Sequence, residues 1–175
     1  KADVVVSAIK NETLNYYKTI AESAGFALAG LGLRPMASYR ALKACVPELE
    51  SGAVALISVR RHEVDVDILI DGRLVFSREL SVDLNLTEDI LELERNERLN
   101  HTSKEIFRCL HSYEGSGAYQ KLDQLFIAGG TGLEDELRQQ IQSDSEVTCS
   151  RMPLLTAIQL PDDKAEDAAR ALTSL

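Results

Sequence analysis

The run Gly129-Gly130-Thr131-Gly132 sits between a short apolar stretch and a helical pattern, which is where a strand turns sharply into a helix. If a nucleotide binds, these four residues are the candidates that border it. Thr131 has a second, favoured role, because its hydroxyl is suited to capping the helix that starts near Leu133. The adjacent Arg60 and Arg61 are of the type that grips phosphate oxygens, although paired arginines at a hairpin tip are more commonly solvated. Glu63, Asp65, Asp67 and Asp71 could offer oxygen ligands to a divalent cation, yet simple alternation along a strand with one wet face already accounts for them. His62, His101 and His111 show no H-x-x-x-H spacing. Cys45, Cys109 and Cys149 contain no C-x-x-C, and no G-x-S-x-G elbow is present. No catalytic residue and no metal site is assigned.

The elements that must position these residues follow from periodicity. Asp3–Ile9 reads as a strand, Asn11 as the cap of a helix carrying Leu14, Tyr17, Ala21 and Ala24, and Gly25 as its end. Phe26–Leu33 reads as a second strand, and Met36–Cys45 as a helix that runs out before Pro47. The polar stretch Pro47–Gly52 is the candidate boundary, giving residues 1–47 as a β-α-β-α piece and 52–175 as a second unit. There, Ala53–Arg60 is an apolar strand. Val64, Val66, Ile68 and Ile70 alternate with acids, and Asp71-Gly72 suits a type I′ turn that returns the chain as Arg73–Leu80. A helical span over Leu86–Tyr113, as one helix or two and with Thr87 as a cap, precedes the strand Gln124–Ala128. The helix Leu133–Ile141, the strand Val147–Met152 and an amphipathic helix with Ala165, Ala168, Ala169 and Leu172 complete the order.

Composition narrows the classes. The 175 residues are 45% hydrophobic and 27% charged, the proportions of a globular chain, and apolar runs such as Phe26–Leu33 fall far short of the roughly 20 residues of a spanning helix. A net charge of −9 argues against nucleic acid, whose binding draws on clustered Lys and Arg. Three scattered cysteines fit a reducing compartment. Lys1 at the head of a strand and Leu175 inside a helical pattern read as cut ends.

Three stretches in order resemble the PilM family, the cytoplasmic actin-like components of type IV pilus machines: Val4–Leu42, Ala53–Leu80 with its D-G-R turn, and LFIAGGTGLEDELRQQI at Leu125–Ile141. The resemblance implies an α/β fold, the second lobe of an actin-like ATPase (ribonuclease H-like, mixed sheet) over 52–175, preceded by a β-α-β-α fragment of the first lobe. It also implies a partner, the cytoplasmic tail of a PilN-like inner-membrane protein, and hence a cytoplasmic protein held peripherally at that membrane. Actin-like ATPases carry Asp-x-Gly on the turn between the first two strands of this lobe. Alignment on the D-G-R turn places Ser58 at the Asp, Arg60 at the Gly and His62 near the hydroxyl position. A serine lacks the charge that holds a hard cation, and an arginine side chain blocks the close backbone approach that glycine permits. ATP with Mg2+ is therefore disfavoured as a cofactor, and a scaffold or pseudo-ATPase is expected, with an ATP-binding switch and a GspL-like secretion component as the alternatives.

Overall fold

The computed structural model describes residues 6–47, 49, 51–85, 90–116 and 120–153. Five strands form one mixed sheet: β1 (Ala53–Val59), β2 (Glu63–Ile70), β3 (Arg73–Ser81), β4 (Gln124–Gly129) and β5 (Cys149–Arg151). Their spatial order is β3-β2-β1-β4-β5. The first three form an antiparallel meander, while β4 lies parallel to β1 and β5 parallel to β4. The meander is closed by Asp71 (φ 49°) and Gly72 (φ 75°), the two consecutive left-handed residues that a type I′ turn demands. The parallel pairs need crossovers, and helices supply them. α3 (Glu92–Glu114) leads from the meander to β4, and α4 (Glu134–Asp144) leads from β4 to β5.

Among the described residues, the span after β3 contains one long helix rather than two. Its first turn falls later than Leu86, and the expected Thr87 cap lies outside the described residues, as does the closing helix around Ala165–Leu172.

Each face of the sheet has its own core. Val59, Val64, Val66, Ile68 and Ile127 meet Leu99, Ile106 and Tyr113 of α3 and Leu137 and Ile141 of α4, all essentially inaccessible to water. The opposite face is covered in part by α2 (Arg34–Cys45), which sets Tyr39 and Leu42 against Val54, Leu56, Leu69 and Phe126. Pro35 starts α2 without loss, because the first N–H groups of a helix have no partner to lose.

The N-terminal segment departs from expectation. α1 (Asn11–Ser23) forms but buries none of its residues. Residues 6–10 and 26–33 form no strand among the described residues, and positions 1–5 lie outside them. An apolar run becomes a strand only where another strand accepts its backbone groups, and among the described residues neither 6–10 nor 26–33 pairs with the sheet. Val6, Tyr16, Ile20 and Phe26 stay exposed.

Candidate functional site

In an open α/β sheet, ligands bind in the crevice outside the carboxyl ends of the strands. Here β1 and β4 run parallel, and their last residues, Val59 and Gly129, are register partners. The hairpin tip 60–62 and the loop 129–132 therefore emerge side by side. Both sets of residues singled out in the sequence, Ser58, Arg60 and His62 on one hand and Gly129, Gly130, Thr131 and Gly132 on the other, come to this one end of the sheet.

The tip is tightly braced. Arg60 N–H donates to the Glu63 carbonyl at 2.9 Å, and the chain leaving β3 adds bonds from Val82 N–H to the His62 carbonyl (3.0 Å) and from Leu84 N–H to the Arg61 carbonyl (2.7 Å). The Arg60 side chain folds onto β2, donating to Glu63 and, through Nη2, to Asp65 at 2.8 Å. Arg34, at the start of α2, reaches Asp65 at 2.9 Å as well. Arg60 is thus bound within the protein instead of solvated. The two carboxylates hold its guanidinium in the charged form, outweighing the opposing effect of burial.

The acidic row was expected to be a wet face, and it is not. Asp67 is only 2% exposed and accepts a 2.6 Å hydrogen bond from Ser77 Oγ. Burial, the largest cause, pushes its carboxyl up to about 6 against the Ser77 bond, and neighbouring Asp65 adds to the rise while Arg34 and Arg60 oppose it. Asp71 stands apart from the row, accepting the Gly52 N–H at 2.9 Å to pin the turn at the other end of the hairpin. Among the described residues, no group of three or more His, Cys, Asp or Glu side chains is arranged to hold a metal.

The glycine loop holds a residue that sequence reasoning missed. Glu134, the first residue of α4, is 1% exposed and folds back over the loop. Its Oε1 accepts from both the N–H and the hydroxyl of Thr131, each at 2.7 Å, and Oε2 accepts from Gly132 N–H at 3.1 Å. Arg151 on β5 approaches Oε2 to 3.7 Å. The Thr131 hydroxyl in turn accepts the Leu133 N–H at 3.2 Å, which braces the turn into the helix but is not the expected cap, because α4 begins at Glu134 and its N-cap position is Leu133, with no side-chain cap bond. Gly129 is required by the crowding here, since a Cβ would stand 2.5 Å from both Glu134 Oε1 and the Val59 carbonyl. The next two acids are also engaged, Asp135 with Arg151 at 3.0 Å and Glu136 with Arg95. A signal for it was present in the sequence, since Thr131-x-x-Glu134 has the spacing of a capping box, in which the acid reaches back to the N–H three residues earlier; its burial was not legible.

A separate cleft of about 460 Å3 lies at the far end of the sheet, between the C-terminal ends of α3 and α4 and lined by Phe107, Leu110, Lys121, Leu122 and Val147 among others. Of the residues weighed for chemistry in the sequence, His111 borders it, whereas the 58–62 and 129–132 segments do not.

Comparison with known proteins bears on the fold. No family model matches the chain, and no curated protein matches it. Among solved structures, a chain of the PilM-PilN type IV pilus biogenesis complex superposes with a TM-score of 0.60 at 13% identity, over 87% of this chain and 51% of that one. The ethanolamine utilization protein EutJ from Carboxydothermus hydrogenoformans gives 0.52 at 17% identity, over 84% and 59%. The fold is a divergent, PilM-like actin fold. The chain spans about half the length of the structure from the pilus complex.

Proposed function

We propose that this chain is part of an actin-like scaffold of a type IV pilus or related secretion machine, with a nucleotide corner closed by its own side chains. The observation that carries this reading is that both segments facing the crevice are already satisfied internally. Arg60 is committed to Glu63 and Asp65, and the Thr131 and Gly132 N–H groups to Glu134. A triphosphate with Mg2+ would have to break these contacts, and Ser58 brings no charge to hold the metal.

In this reading residues 1–47 are an accessory piece of the first lobe and 52–175 the ribonuclease H-like subdomain. The partner is the cytoplasmic tail of a PilN-like inner-membrane protein, which keeps the scaffold peripheral to the membrane on the cytoplasmic side. No helix among the described residues is long and apolar enough to cross a membrane. The run of exposed apolar residues from Val6 through Tyr16, Ile20 and Phe26 to Leu33 supports a role in contact with other protein surface.

Calorimetric titration separates the readings. The scaffold gives no heat with Mg-ATP and a saturable signal with a PilN-like tail peptide. Micromolar Mg-ATP binding that is abolished by Gly130→Arg establishes the nucleotide switch instead.

A further inference from the structure

Two arginines from distant parts of the chain meet on one carboxylate oxygen. Arg34 Nη1 donates to Asp65 Oδ2 at 2.9 Å, and Arg60 Nη2 donates to the same atom at 2.8 Å. Glu63 Oε1 is shared in a similar way, accepting from Arg60 Nε while lying 3.8 Å from Arg34 Nη1. The two arginines serve different parts of the fold. Arg34 opens α2, which is fixed farther along by Tyr39 against Gly72 of the hairpin turn and by Leu42 against the sheet. Arg60 belongs to the tip at the crevice. A carboxylate has lone pairs for both donors, but two like charges drawn to one oxygen repel each other. The Asp65 side chain is only 13% exposed, so that repulsion is screened less than it would be in water.

We infer that Asp65 is a shared anchor that couples α2 to the hairpin tip: Arg34 and Arg60 compete for its carboxylate, so that whichever is drawn away leaves the other more firmly held. The inference rests on the scaffold reading above, which supplies a partner for the N-terminal segment, and deepens it by naming the contact through which that partner regulates the closed corner.

The exposed apolar residues Phe26, Leu31 and Leu33 lead directly into Arg34. A partner seated on that run and pulling Arg34 off Asp65 tightens Arg60 on the hairpin and keeps the corner shut. An anion that draws Arg60 toward the crevice instead leaves Asp65 and Glu63 to Arg34, which fastens α2 to the sheet. The two effects are reciprocal, as linkage between binding events requires.

The test is a double-mutant cycle in the whole chain, with urea unfolding of wild type, Arg34→Gln, Arg60→Gln and the two substitutions together. Expected is a larger destabilisation by Arg34→Gln in the Arg60→Gln background than in wild type, by a factor of about two or more in the unfolding constant, as for residues that share a partner. Losses that simply add overturn the inference, because they are the result of independent pairs. A smaller loss in the Arg60→Gln background overturns it as well, because that is the result of a mutually supporting network. The difference is expected to shrink in an Asp65→Asn background; if it persists there undiminished, the shared anchor is not Asp65. Should the double variant fail to fold, solvent exchange of the Arg60 Nε proton in Arg34→Gln decides. Slower exchange than in wild type supports the competition, and equal or faster exchange refutes it. Neither nucleotide nor partner enters these measurements, so their outcome is separate from the Mg-ATP and tail-peptide titrations that test the scaffold reading itself.

Discussion

Replacing Asp67 with Asn gives the most searching check on the polar face of the hairpin. Asp67 is 2% exposed, and its carboxyl is raised from an ordinary 3.8 to about 6. The groups that face it are Ser77 from β3, Asp65 on its own strand, Arg60 from the tip of β1 and Arg34 from α2. Because its folded-state value lies above its unfolded one, the folded protein binds the extra proton between about pH 4 and pH 6. Stability contributed by this site therefore falls as pH rises through that window and is flat beyond it. At about 1.4 kcal/mol per pKa unit, the gap between 3.8 and about 6 corresponds to about 3 kcal/mol of strain from the ionised form at pH 8. Asn keeps the acceptor for Ser77 Oγ and removes the charge. At pH 8 the variant should melt higher than wild type by about 6–12 °C, given roughly 2–4 °C per kcal/mol for a chain of this size. The two melting temperatures should converge near pH 4. Thermal unfolding followed by circular dichroism across pH 4–8 reads both numbers. A gain that is the same at pH 4 and pH 8, or a loss at pH 8, would refute the reasoning.

Three further outcomes are expected. Gly129→Ala forces a methyl group against the Val59 carbonyl and Glu134, so urea unfolding should show a loss of about 1–3 kcal/mol, whereas Gly132→Ala, strained only by its φ of +83°, should lose about 1 kcal/mol. Leu137→Ala opens a void where α4 meets the sheet, at a fully buried position, and should cost about 2–5 kcal/mol by the same measurement. Burial pushes the Cys109 and Cys149 thiols up to about 11, so at pH 8 a thiol-disulfide reagent should label the half-buried Cys45 first and reach the other two only in denaturant; equal native rates at all three would contradict the burial described.

The sequence by itself determined the features written in neighbouring residues. Period-two alternation across Glu63–Ile70 and the Asp71-Gly72 turn specify the meander, because a strand's faces and a two-residue turn depend on residues that are adjacent in the chain. The change from the apolar strand Gln124–Gly129 through glycines into α4 is likewise local. Ser58 and Arg60 could be set against an Asp-x-Gly pattern for the same reason.

Only the tertiary structure decided what those residues touch. Arg34 meets Asp65 across 31 positions, and α2 together with Arg60 turns what alternation presents as a wet acidic face into a partly buried, paired one. Phe26–Leu33 has the composition of a strand but pairs with none among the described residues. The Thr131-x-x-Glu134 spacing marks Glu134 as an acid that reaches back over the helix entrance, but its burial is decided by Gly129, which leaves room beneath it, and by Arg151 arriving on β5. Burial and charge pairing depend on distances through space, so a linear pattern can name the candidates while the packing of distant segments chooses among their roles.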